Sequence, residues 1–231
     1  VAVFLGSTSV QSESAQFSCP RPSGVTAGVV LVAIQFANYG SPGDLTTPTG
    51  GATWQQLDSG PRDEFAVWWK VAGSSEPSNY TFRHGGTECI VAIAAIGNAA
   101  PTAPTIAVTT PDIDTSQPST PSIASPGADA IEIRAAAVFD DEQVSWSAPS
   151  GFTLAESVSD FFAELALAMA WRVPPASGQT GTHSFQIDSE QYHVYSVTIG
   201  IANGAIDATP TPDAVAASAA MPTPGIEAGG T

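Results

Sequence analysis

Glu64-Phe-Ala-Val-Trp-Trp-Lys-Val-Ala72 and, about a hundred residues later, Ala163-Glu-Leu-Ala-Leu-Ala-Met-Ala-Trp-Arg-Val173 are the two stretches that decide the fold. In both, large apolar side chains recur at every second position, the period of a strand with one face on a core. Phe65, Val67, Trp69 and Val71 share one face; Leu165, Leu167, Met169, Trp171 and Val173 share the equivalent face of the second stretch. Trp69 and Trp171 are therefore expected as matched packing anchors. The opposite face carries Glu64, Trp68 and Lys70 in the first stretch and Glu164, Ala170 and Arg172 in the second. Trp68 beside Lys70 is the exposed-aromatic candidate for contact with a ligand or partner, unless a loop or second sheet covers it.

Working outward, the same alternation or β-branched richness marks strands over Val29–Ala37, Asn79–Arg83, Glu88–Ile96, Ala130–Phe139, Thr182–Ile187 and Tyr192–Ile201, each bounded by turn residues. Shorter candidates are Val1–Leu5, Ala15–Cys19, Thr53–Ser59, Thr105–Thr109 and Thr153–Val158. With 21 Gly and 19 Pro distributed along 231 residues, helical periodicity never develops. The expectation is an all-β, jelly-roll-like β-sandwich.

An ordered series of echoes points to an internal duplication. Pro48-Thr-Gly-Gly-Ala-Thr-Trp54 returns as Pro149-Ser-Gly-Phe-Thr-Leu154, and Trp69-Lys70-Val71 as Trp171-Arg172-Val173. Tyr80-Thr81-Phe82 returns as His183-Ser184-Phe185, and Ile96-Gly97-Asn98-Ala99 as Ile201-Ala202-Asn203-Gly204. Upstream, Val29–Phe36 aligns with Asp129–Ala136. The expected organisation is one sandwich over residues 1–204, made of pseudo-repeats over about 1–99 and 100–204, then an extended C-terminal arm over 205–231.

Composition narrows the function classes. Six Lys+Arg against 22 Asp+Glu give a net charge of −16, which repels phosphate backbones and anionic lipid and argues against nucleic-acid or membrane-surface binding. Apolar runs are all interrupted well before the roughly 20 residues of a membrane-spanning helix. Val1–Val10 lacks a basic start and a cleavable pattern, so the expectation is no secretion signal. Cys19 and Cys89 have no metal-ligand spacing and fit either one bridge or two buried thiols; a core this large needs no staple.

Catalytic constellations are not evident, and the expectation is a non-enzyme. There is no Gly-x-Ser-x-Gly elbow. Asp140-Asp141-Glu142 at a strand end offers no third carboxylate partner for glycosidase chemistry. His183 and His193 are expected on the two arms of a hairpin turning at residues 188–191, on opposite faces, and His84 stands alone. No metal or cofactor is expected, although acidic loops at Asp112 and Asp114 or at Asp140–Glu142 leave calcium open.

Pro48-Thr-Gly-Gly-Ala-Thr-Trp54-Gln-Gln-Leu57, then Trp68-Trp69-Lys70-Val71, then Glu76-Pro77-Ser78-Asn79-Tyr80-Thr81-Phe82 resembles a β-sandwich module of minor tail and other virion proteins of phages that infect actinobacteria. Residues from about Pro20 to Gly204 share the likeness; it departs at the inserted Gly50-Gly51-Ala52 and at Leu154, where the pattern has an aromatic. The resemblance implies a non-enzymatic structural virion protein on the tail or capsid surface. Its partners would be other virion subunits and further copies of itself, with a host cell-surface glycan as a further contact. It would be assembled in the host cytoplasm and exposed outside the cell on the particle. The alternative is a secreted carbohydrate-binding, lectin-like module using Trp68 as a platform. In the arm, Pro210, Pro212, Pro222 and Pro224 exclude regular pairing, and Ile206, Val215, Met221 and Ile226 supply its apolar grip on a neighbouring subunit.

Overall fold

In the computed structural model, residues 1–38, 45–57, 64–112, 115–139, 144–160, 165–188 and 192–204 are described. Residues 205–231, with Met221 and Ile226, lie outside them, as do Asp114 and residues 140–142 and the side chains of Asp112 and His193. Every regular element among the described residues is a strand. The first half supplies β1 (Val3–Ser12), β2 (Gln16–Pro20), β3 (Val30–Asn38), β4 (Gln55–Gln56), β5 (Phe65–Val71), β6 (Asn79–Arg83) and β7 (Glu88–Gly97). The second supplies β8 (Thr105–Asp112), β9 (Ser119–Thr120), β10 (Ile131–Phe139), β11 (Trp146–Ser147), β12 (Thr153–Asp160), β13 (Leu165–Arg172), β14 (His183–Ser184), β15 (Gln186–Ile187) and β16 (Tyr192–Ile201).

Two five-stranded antiparallel sheets form the body, ordered β1-β7-β3-β5-β4 and β12-β13-β10-β16-β8. They pack face to face as a β-sandwich. Val30, Val32, Ile34 and Phe36 of β3 meet Ile131, Ile133, Ala135 and Ala137 of β10 in one core that also takes Phe65, Val67 and Trp69 with Leu165, Leu167 and Met169. Aromatic pairs close both ends: Phe4 of β1 stacks on Trp171 with centroids 4.9 Å apart, and Phe65 stacks on Tyr195 at 5.5 Å. The Tyr195 hydroxyl donates to Glu64 at 2.8 Å, tying the sheets at that end.

The outer faces are covered too, which explains why β3 is buried at all nine positions instead of at alternate ones. On the first sheet, β2 pairs with β6 and lays Phe17, Cys19, Tyr80 and Phe82 over Leu31, Ala33, Trp68 and Ile93. On the second, the pairs β11-β15 and β14-β9 bring Trp146, Phe185 and Ile187 over Ala136, Val138, Ala166 and Ala168. A sheet buried on both faces reads as a continuous apolar run, as Val-Leu-Val-Ala-Ile does in β3.

Three local expectations change. Thr182–Ile187 and Tyr192–Ile201 do not form a hairpin. The short β14 and β15 belong to the outer layer, paired with β9 and β11, whereas β16 lies in the main sheet between β10 and β8. Val32 pairs with Trp69 and Ile133, not Glu132, pairs with Trp171, so the expected alignment of Val29–Phe36 with Asp129–Ala136 does not match the strand register. The register differs from that alignment by one residue, and one residue exchanges the two faces of a strand. Similarly, Gln55 opposes Trp69 as Thr153 opposes Trp171, which puts Phe152 rather than Leu154 in the place of Trp54.

Candidate functional site

Lys70 points to the outer face of β5, and that face is closed. Lys70 is fully buried and Trp68 is 2% exposed, because the β2-β6 layer lies over them. Neither is a surface platform. The Trp68 indole N–H instead donates to Gln35 Oε1 at 3.0 Å, and Gln35 in turn donates to the Arg83 carbonyl at 2.7 Å.

Around Lys70 the chain builds a sealed ionic cluster. Its Nζ donates to Glu76 Oε2 at 2.6 Å and to the Gly50 carbonyl at 2.8 Å, and lies 4.2 Å from the Tyr80 ring centre and 4.8 Å from that of Trp54. Glu76 Oε1 also accepts the Gly73 and Ala52 amides at 2.8 and 3.1 Å. Burial drives the Glu76 carboxyl upward, but these hydrogen bonds and the lysine charge together outweigh it and hold it below its ordinary value. Gly51 (φ 69°) is forced here, since a Cβ at that position would collide with the Glu76 carboxylate.

The second half carries an ionic cluster of its own, with different chemistry. Arg172 occupies the place of Lys70 on β13, and Glu132 and Arg134 stand on the outer face of β10. Glu132 accepts from Arg134 Nε and Arg172 Nε, both at 2.7 Å. Arg134 reaches on to the Thr120 carbonyl at 3.0 Å, Thr120 Oγ1 at 2.6 Å and the Gly181 carbonyl at 2.7 Å, while Arg172 Nη2 donates to the Thr180 carbonyl at 2.9 Å. Phe152 lies 4.4 Å beneath the Arg172 guanidinium and 5.4 Å from that of Arg134, with the His183 ring edge-on at 5.1 Å. Burial first, then the two arginines, lower the pKa of His183, so it is neutral at pH 7. Unlike the first cluster, this one is open on one side: the Arg172 side chain is 18% exposed, and Phe152 and His183 are half-buried.

Sequence alone does not mark these clusters as sites. The available signals were the Glu76 that follows Lys70 in the next loop, the Glu132-x-Arg134 pair, and the echo of Lys70 in Arg172. Cys19 and Cys89 are free buried thiols; burial pushes Cys19 up to about 12 and Cys89 higher still, which suppresses the nucleophilic thiolate. His84 is buried, and its Nε2 lies 2.9 Å from the Ser14 carbonyl. Among the described residues no three His, Cys, Asp or Glu side chains group as a metal site.

No family model, curated protein or solved structure matches the chain.

Proposed function

We propose that this chain is a non-enzymatic structural protein of a virus particle, a minor tail or capsid-surface component of a phage of actinobacteria, working as one copy among several beside other virion subunits. The observation that carries the reading is the use of the buried charge. Lys70, Glu76, Glu132 and Arg134 bond to strand and loop groups of their own half, which is the role of ties in a scaffold. The resemblance over Pro20 to Gly204 points the same way. The particle would carry the protein out of the host, where a cell-surface glycan is a further contact.

We also infer that the halves are copies of one jelly-roll-like unit. In each, the first long strand lies beside the last, the last beside the third, and the third beside the strand that carries Trp69 or Trp171: β1-β7-β3-β5 and β8-β16-β10-β13. The second strand pairs outside this sheet, β2 with β6 and β9 with β14. The shared order supports the duplication, and its long connections between layers support the jelly-roll-like reading. A secreted carbohydrate-binding module is the second reading; burial of Trp68 weighs against it, and the half-open Phe152 and Arg172 favour it.

The test is mass spectrometry of gradient-purified particles from the host that encodes the chain. Its peptides are expected to co-sediment with the major capsid protein. Recovery only in the particle-free culture supernatant would overturn the virion role in favour of the secreted module.

A further inference from the structure

The two ionic clusters differ at one point. In the first half the loop after β5 folds back and places the Glu76 carboxylate on Lys70. In the second, the connection Val173-Pro-Pro-Ala-Ser-Gly-Gln-Thr-Gly-Thr182 has no acid at all. Glu132 of β10 serves both arginines instead. One lysine with one glutamate is neutral; two arginines with one glutamate leave a positive charge, in a chain of net −16. A Cβ at Gly51 would meet the Glu76 carboxylate, whereas Gly151, in the turn that leads to Phe152, and Gly178, in the acid-free loop, are exposed and a Cβ there would face solvent. Arg172 uses Nε and Nη2 within the fold, and among the described residues its Nη1 has no hydrogen-bond partner.

We propose that the open side of this cluster binds the carboxylate of an acidic sugar, a hexuronate, in the position that Glu76 fills in the first half. Arg172 Nη1 donates to the carboxylate, a charge-assisted bond of the kind guanidinium groups favour. The half-buried Phe152 ring offers an apolar surface to the C–H face of the sugar, and neutral His183 lines the rim. A ligand with one carboxylate fits the field better than a polyphosphate or nucleic acid, which the surrounding negative charge repels. The site is independent of whether the protein is carried on a particle or secreted.

The experiment is a heteronuclear NMR titration of the full chain with sodium glucuronate, following the His183 ring and the Arg172 guanidinium, with glucose, acetate and sulfate as comparison arms. Saturable shifts with glucuronate in the millimolar range are expected, together with a rise in the His183 pKa as a bound carboxylate offsets the two arginines. Glucose is expected to cause none, and acetate and sulfate are expected to bind at least about tenfold more weakly. Arg172→Gln is expected to abolish binding. Arg172→Lys, which keeps charge and most packing, and Phe152→Leu, which keeps both arginines, are expected to weaken it several-fold with thermal melts near the parent. Absence of saturable shifts, equal affinity for acetate and glucuronate, or unchanged binding in the Lys and Leu variants would overturn the proposal.

Discussion

Trp68 and Trp69 are neighbours on β5 that enter different cores, Trp69 between the main sheets and Trp68 under β2-β6. Both are almost wholly buried, so Trp68→Ala and Trp69→Ala should each cost about 3–5 kcal/mol, and Trp68→Ala also leaves Gln35 Oε1 without its indole donor. Trp171, half-buried against Phe4, should cost less. Urea midpoints of the three variants check this ranking. Lys70→Met strands a buried carboxylate and is expected to cost about 3–5 kcal/mol, whereas Lys70→Met with Glu76→Gln should recover part of it, since removing both charges removes the uncompensated one. Glu76 is held below its unfolded value in the fold, so its contribution is present above the unfolded carboxylate pKa and is lost as pH falls through the folded one. The acid arm of a stability–pH curve should therefore be shallower in Glu76→Gln than in the parent. The alternation that identified the inward face of β5 was legible because one core sits on it. The fate of Trp68 and Lys70 was not, because the layer that buries them arrives from residues 16–20 and 79–83, and nothing in β5 itself encodes that arrival.

Long strands are legible from their length and their apolar or alternating character, as in β3, β7, β10 and β13, and short ones are not. β9, β11, β14 and β15 are two residues each, too few for any period, so the outer layer of the second half was read as an arm of a hairpin with β16. The register slip between Val32 and Ile133 has a related cause: Val30-Leu-Val-Ala-Ile34 of β3 is apolar on both faces and offers no alternation to set against Ile131-Glu-Ile-Arg134 of β10. The layering has a kinetic consequence. Cys19 sits in the two-stranded β2-β6 layer, whereas Cys89 begins β7 in the five-stranded sheet. Small outer layers open at lower free energy than the sheets they cover. Native protein should react slowly with a thiol reagent at neutral pH. Both thiols line the outer core that the layer covers, so in urea well below the unfolding midpoint Cys19 and Cys89 should label together, as peptide mass mapping after quenched labelling would reveal; labelling of both only at the midpoint would mean that layer and sheet open as one unit.

At the scale of the molecule, the question is whether a half can stand alone. Each half covers the outer face of its own sheet but leaves the inner face to the other half. For residues 1–99 that face presents Val30, Val32, Ile34, Phe36, Phe65, Val67, Trp69, Ile90 and Ile96. Burying one such side chain is worth about 1.5–3 kcal/mol. Exposing all of them together therefore forfeits more than the 5–15 kcal/mol or so by which a domain is stable at all. The ends are tied as well: Ala99 bridges to Asn203, and the Gly204 amide donates to the Asn98 carbonyl at 2.8 Å. Residues 1–99 produced alone are thus expected to aggregate or to form a loosely packed state without near-ultraviolet circular dichroism, and residues 100–204 likewise. Co-expressed, the two pieces should associate one-to-one and recover the native spectrum, because the β1-β12 contact, the Phe4–Trp171 stack and the Tyr195–Glu64 hydrogen bond all form between them without a connecting peptide. The decisive measurement is sedimentation of each piece alone and of the pair. A cooperative, monomeric fold for residues 1–99 would mean that the inner core is an interface between two self-sufficient domains. If instead residues 1–99 form a stable homodimer, the inner face of the first half accepts a second copy of itself in place of residues 100–204, and the core it makes with them is not specific to that partner.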